Sequence, residues 1–288
     1  MPFVDALASF EPLLIACTGL LGLLVGSFLN VVIYRLPQMM ERRWQQEARD
    51  ILALDAIEQA PLSLAKPASR CPACGAAIKP WQNIPVVSWL LLRGRAACCG
   101  ARISPRYPLV ELLTGLMSAA CAWRFGFGPE LAGALLLSWA LIALAFIDLD
   151  TQLLPDDMTL PLLWAGLLFS LAGGFVALES AVIGAIAGYL SLWLVFWGFK
   201  LATGKDGLGY GDFKLLAALG AWLGWQALPQ IILLSSVVGA VTGIALIVLR
   251  RQQRGAAMPF GPFLAAAGWL ALMGVDALGA IVPGVSAP

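Results

Sequence analysis

The chain has 288 residues, of which 60% are hydrophobic and 12% charged, with a net charge of +1 and no histidine. A globular domain carries about 25% charged residues, so this composition excludes a soluble protein built on one large core. The missing histidine excludes Ser-His-Asp and Cys-His catalysis and any imidazole-held metal.

In chain order, the first segment, Met1-Pro2-Phe3-Val4-Asp5, carries no Lys or Arg ahead of the first apolar run. A cleaved secretory signal needs a basic start, so the run reads as a retained first helix. Apolar runs that read as membrane spans recur at about 12–34, 108–125, 131–148, 158–177, 180–202, 213–226, 229–249 and 260–282. The sixth is short and Gly-rich, which suits a half-helix or a helix sunk in protein rather than lipid. The expected fold is therefore an all-α polytopic membrane protein of about eight spans. Its expected regions are a first span (1–34), a small cytoplasmic Cys-rich module (35–107) and a membrane-embedded core (108–288).

The module opens on a charged stretch, Met39 to Ala60, where Met40, Trp44, Ile51, Leu54 and Ile57 recur at near-helical spacing. That pattern predicts an amphipathic helix lying on the membrane surface. Next comes the knuckle Cys71-Pro72-Ala73-Cys74-Gly75, then a second cluster at Cys98-Cys99-Gly100. Two CxxC pairs about 15–20 residues apart would read as a four-thiolate structural zinc site. Here Ala96 stands where the second pair would begin, and its two cysteines are adjacent. Two readings stand: zinc held by Cys71, Cys74, Cys99 and either Cys98 or a water, or a packed remnant. Adjacent residues rarely share one tetrahedral ion, so Cys98 is expected to matter less than Cys99. A disulfide is disfavoured in a reducing compartment. Cys17 and Cys121 lie in apolar runs and read as packing residues.

Placing the N-terminus outside and threading the runs alternately puts 35–107, 149–157, 203–212 and 250–259 in the cytoplasm. Every Lys and Arg except Arg124 then falls on or beside that side, as the positive-inside rule requires. Trp123 and Trp225 fall at the opposite interface, where an aromatic belt is expected.

The same threading brings two aspartates to one side. Asp148 closes the run Leu144-Ala145-Phe146-Ile147-Asp148, and Asp212 follows Gly209-Tyr210-Gly211 ahead of Phe213. A carboxylate at the edge of a hydrocarbon span is costly, and its default reading is functional. Two carboxylates meeting in a partly dry site share a proton, the starting state for aspartyl hydrolysis of a peptide bond. Against this stands the plain reading of Asp212 as a helix N-cap. Gly209 and Gly211 permit close backbone approach, as an extended substrate would need. Lys214, like Lys205, reads as an anchor for a lipid phosphate or a group that tunes the site. Asp150 points away from Asp148 if the helix continues. Asp156 and Asp157 read as caps of the next span. Glu111, early in the second span, needs a partner: an ion pair with a loop arginine and a substrate role are both open.

Taken in order, the elements Gly26-Ser27-Phe28-Leu29-Asn30-Val31, the CxxC module, Tyr107-Pro108-Leu109-Val110-Glu111, Ile147-Asp148 with Leu153-Leu154-Pro155-Asp156, Gly209-Tyr210-Gly211-Asp212-Phe213-Lys214 and Pro259-Phe260-Gly261-Pro262 resemble the type IV prepilin peptidases. The resemblance runs over nearly the whole chain. It implies a GxGD aspartyl protease of the bacterial inner membrane, its active site facing the cytoplasm. Its substrates would be type IV prepilins and type II secretion pseudopilins, whose leaders it removes. It also implies N-methylation of the new terminus with S-adenosylmethionine. The family's catalytic pair falls on Asp148 and Asp212; Gly209, Gly211, Lys214 and Glu111 are supporting candidates. Besides substrate, lipid is an expected partner and nucleic acid is not. Two rivals remain at this stage: an ion-coupled transporter, and a non-enzymatic pilus assembly factor.

Overall fold

The computed structural model describes residues 2–55, 60–205, 207–249 and 258–275. Among them the chain is helical, with no strand beyond two isolated bridges. The long helices are α1 (Pro2–Ser9), α2 (Glu11–Ile51), α4 (Arg106–Phe125), α5 (Pro129–Thr151), α6 (Asp156–Leu171), α7 (Leu178–Thr203), α8 (Tyr210–Leu223), α9 (Leu228–Val248) and α10 (Gly261–Leu272), with a short α3 (Val87–Leu91) in the Cys-rich loop. A helix therefore occupies each of the eight predicted runs. Four stretches, Glu11–Ile51, Pro129–Thr151, Leu178–Thr203 and Trp225–Val248, are long and apolar enough to cross a membrane. The remaining predicted spans are shorter or more polar helices. Ile57, Arg250, Arg251, Arg254 and the end of the predicted eighth span lie outside the described residues.

The chain forms two compact units, Met1–Phe127 and Gly128–Pro288. In the first, α2 lies along α4. Gly22 and Gly26 of α2 face Ser118, Thr114 and Glu111 of α4 so closely that a Cβ on either glycine would collide with them. Small residues at such spacing let two backbones approach where lipid supplies no hydrophobic drive. The predicted amphipathic helix at 39–60 is helical only to Ile51, and that part is not a separate element. It continues α2 for 41 residues in all, with Pro37 inside the helix. Pro37 removes one intrahelical bond, but helix-forming residues on both sides carry the helix past it.

In the second unit α8 is the centre. Every residue from Asp212 to Trp222 except Lys214 is buried, because α6, α7 and α10 pack around it. The short Gly-rich sixth run is thus sunk in protein. Trp222 sits against Gly166 of α6 and donates its Nε1–H to the Leu162 carbonyl at 2.8 Å. Gly184 of α7 meets Gly220 of α8 backbone to backbone, and a Cβ on either would run into the other's carbonyl. Gly184→Ala or Gly220→Ala should therefore lower the amount of folded protein several-fold, as 1–2 kcal/mol of destabilisation does. Gly198→Ala, with open space around it, should leave the amount unchanged; quantifying the membrane-extracted protein checks both.

Candidate active site

Asp148 and Asp212 reach the site from opposite helix ends. Asp148 sits in the last turn of α5, which closes on Gln152 in the left-handed conformation (φ 54°) with its N–H bonded to the Asp148 carbonyl. The helix does continue past Asp148, so Asp148 is buried while Asp150, two residues on, is exposed. Asp212 is not the N-cap of α8. That position belongs to Gly209, and Asp212 stands three residues in, where its Oδ2 accepts the Gly209 N–H at 3.3 Å. Both carboxylates are at least nine-tenths buried.

Three residues tie the pair together. Asp148 Oδ2 accepts the backbone N–H of Gly261, the first residue of α10, at 2.9 Å. Leu154, from the loop after α5, fills the space where Gly211 lacks a Cβ: one built there would lie 2.7 Å from the Leu154 Cβ. The same leucine borders Gly261, whose missing Cβ would come within 3.2 Å of it. Gly211 is thus needed for close approach, but in this structure the neighbour is Leu154. Asp212 Oδ1 is buried with no hydrogen-bond partner among the described residues. A buried carboxylate oxygen left open is costly, and here it is the atom free to meet a water or a substrate carbonyl.

The other candidates around Asp212 fall as follows. Lys214 is bound to Asp156 through two contacts, 2.6 and 2.8 Å. Asp156 therefore does not cap α6 by a side-chain bond; its carboxylate serves Lys214 instead, and the N-cap of α6 is Pro155, with no side-chain bond. Tyr210 packs with Phe196 and Phe213 in an aromatic cluster (ring centroids 5.3 Å apart in each pair) that shoulders the start of α8.

Glu111 belongs to the first unit. Its partner is not an arginine: its Oε2 accepts the Val86 N–H at 2.7 Å, and Ser27 hydrogen-bonds to it as well. Val86 is held at φ 59°, a region that a β-branched residue rarely enters. Glu111 thus fastens a strained turn of the Cys-rich loop onto α4. Arg35 does similar work, donating to the carbonyls of Ser63, Leu64 and Pro67 at 2.9, 3.4 and 2.7 Å. Sequence alone showed only that Arg35 lay at a membrane edge.

The cysteines form a true cluster. The sulfurs of Cys71, Cys74, Cys98 and Cys99 all lie within 4.8 Å of one another. Tetrahedral zinc with bonds of about 2.3 Å places its sulfurs about 3.8 Å apart. Cys71–Cys99 stands at 3.7 Å, Cys74–Cys98 at 3.3 Å and Cys98–Cys99 at 3.9 Å. The four thiols fit the ion. Cys98 is therefore not the peripheral residue its adjacency to Cys99 suggested.

The reason lies in two matching turns. In the first, Gly75 N–H returns to the Cys71 carbonyl and Cys71 N–H to Ala76; in the second, Gly100 N–H returns to Ala96 and Ala96 N–H to Ala101. Gly75 and Gly100 share φ 72°. Ala96 thus keeps the backbone place of a knuckle's first cysteine while Cys98 brings the fourth sulfur from one residue before Cys99. The thiols are unequal. Backbone N–H groups of Cys74 and Ala73 pull Cys71 down to about 6, while its hydrogen bond with Cys74 pushes Cys98 up to about 12. A metal dication competes with such protons, since the thiolate is the ligand.

Two buried aspartates at helix ends in an apolar helical core, with a four-cysteine module earlier in the chain, are the arrangement expected of an intramembrane aspartyl peptidase. The chain belongs to the type IV leader peptidase family, whose description matches residues 135–244, and residues 20–125 match the bacterial peptidase A24 N-terminal domain. It is 57% identical over 277 residues (96% of each chain) to the prepilin leader peptidase/N-methyltransferase of Pseudomonas aeruginosa. It is 59% identical over 261 residues (90% of each) to the protein of that name in Aeromonas hydrophila, and 52% identical over 274 residues (94% of each) to that in Neisseria gonorrhoeae. No solved structure matches it.

Proposed function

We propose that this protein is a membrane aspartyl endopeptidase that removes the leader of type IV prepilins and type II secretion pseudopilins, and that it also N-methylates the new terminus. Family membership and the relatives' names carry the class of reaction. The observation that carries the chemistry is the pair of buried carboxylates, Asp148 and Asp212, whose segments are linked through Gly261, Leu154 and Gly211.

One aspartate, ionised, takes a proton from water as the oxygen adds to the scissile carbonyl carbon. The other, protonated, gives its proton to the carbonyl oxygen. Collapse of the tetrahedral adduct breaks the C–N bond, and the leaving amine takes a proton from the first aspartate. Asp212 Oδ1 is the open oxygen at which such a proton can be held. Gly209 places no side chain beside the Asp212 carboxylate, while Gly211 makes room for Leu154. Methyl transfer uses S-adenosylmethionine as donor, a reading that rests on the relatives' names and the motif resemblance. Zinc is held by Cys71, Cys74, Cys98 and Cys99 and supplies rigidity to the module, not a catalytic step.

Four apolar helices and the family make this a multi-pass protein of the bacterial inner membrane. The active site faces the cytoplasm, supported by the distribution of Lys and Arg. Reporter fusions within 35–107 and 203–212 are expected to report cytoplasm, and one within 172–177 periplasm; the reverse pattern would overturn the orientation. The function itself is tested by incubating the purified protein with a prepilin and reading leader loss by mass. An intact prepilin after prolonged incubation with folded protein would refute it.

A further inference from the structure

Phe260 ends the loop before α10, and Phe263 and Leu264 both return their N–H groups to its carbonyl, at 3.1 and 3.2 Å. Pro262 has no N–H to give. Of the first-turn donors of α10, only Gly261 N–H is left without a backbone acceptor, as the first groups of a helix must be. It is spent on Asp148 Oδ2 at 2.9 Å, in a buried setting. The same glycine leaves no room for a side chain: a Cβ there would lie 2.7 Å from Asp148 Oδ2 and 3.2 Å from both Asp148 Cγ and Leu154 Cδ2. Leu154 in turn fills the gap at Gly211, next to Asp212. A line of contact thus runs from Asp148 through Gly261 and Leu154 to Gly211.

We infer that Gly261 is a positioning residue of the catalytic pair: its N–H fixes one oxygen of Asp148, and its missing Cβ lets Leu154 hold both aspartate segments in register. The inference rests on the peptidase reading above. With Oδ2 engaged by an N–H, Asp148 presents Oδ1 as the oxygen that exchanges a proton with water. A side chain at 261 pushes the carboxylate off this geometry, and displacements of about 1 Å cost about 10²-fold in rate.

The test compares three variants with wild type in detergent, on one prepilin, with kcat, KM and the amount of folded protein measured for each. Gly261→Ala is expected to lower kcat by about 10–10²-fold while KM stays within about twofold of wild type. An amide-to-ester replacement, glycolic acid at 261, removes the N–H without adding a Cβ and should lower kcat about tenfold at unchanged KM. Gly268→Ala lies in the same helix, its Cβ 2.5 Å from Leu219; it should reduce the amount of folded protein and keep kcat. If Gly261→Ala does not accumulate, the ester decides. Wild-type kcat in the ester form, or an equal kcat loss in Gly268→Ala, would overturn the role of Gly261. A wild-type protein that fails to cleave would instead overturn the peptidase reading.

Discussion

Asp148→Asn and Asp212→Asn are each expected to lower leader cleavage by about 10²–10⁴-fold, the range that one positioned acid or base supplies, while the protein still accumulates in the membrane. Asparagine keeps the size of the side chain and can hydrogen-bond, but it cannot cycle a proton. Both positions are buried, and among the described residues neither sits in an ion pair that the neutral side chain would strand. Folding should therefore survive the change. Asp150→Asn, at an exposed position two residues away, should cost little. The comparison also separates the rivals. An assembly factor that merely holds pilins would keep its role in both mutants, and a transporter would show no leader loss in the wild type. Quantitative mass analysis of prepilin after fixed times, normalised to the amount of peptidase, gives the answer.

The second large effect is expected at the cysteines. Purified protein should carry about one zinc per chain. Cys71→Ser, Cys74→Ser, Cys98→Ser and Cys99→Ser should each reduce that content sharply and lower the amount of folded protein several-fold, because structural zinc contributes its binding free energy to folding. The adjacency of Cys98 and Cys99 predicts a mild effect for Cys98. The sulfur positions predict otherwise, since Cys98 stands 3.3 Å from Cys74 and completes the tetrad. Whatever mutant protein survives should still cleave, since the proposed chemistry rests on the two aspartates and gives the ion a structural role only. Metal analysis of each purified variant decides it: full stability of all four without zinc would make the module packing alone.

The all-helical class, the helix in each apolar run and the place of both aspartates at helix ends were legible in the sequence, because each depends on local quantities. Run length against bilayer thickness marks a span, and a charge at the edge of such a run stands out for its cost. The opposite facing of Asp148 and Asp150 also followed from helical period alone. The extent of α2 was half legible. The pattern at 39–60 gave its helical character, but whether it joined the first span depended on Pro37 being tolerated.

Other features were decided by tertiary contact between residues far apart in the chain. Gly261 is 113 residues from Asp148, and nothing local says which acceptor a helix's open N–H will meet; the only signal was a glycine before a proline at a helix start. Lys214 and Asp156, 58 residues apart, each had a plausible local role, and nothing local pointed to their pairing. Glu111 likewise took a backbone N–H on a strained turn 25 residues away instead of an arginine. The cysteine tetrad shows the limit most clearly. Spacing counts residues along the chain, whereas a metal site counts distances between sulfurs, and two turns of equal shape bring Cys98 within reach although the second CxxC pattern is broken.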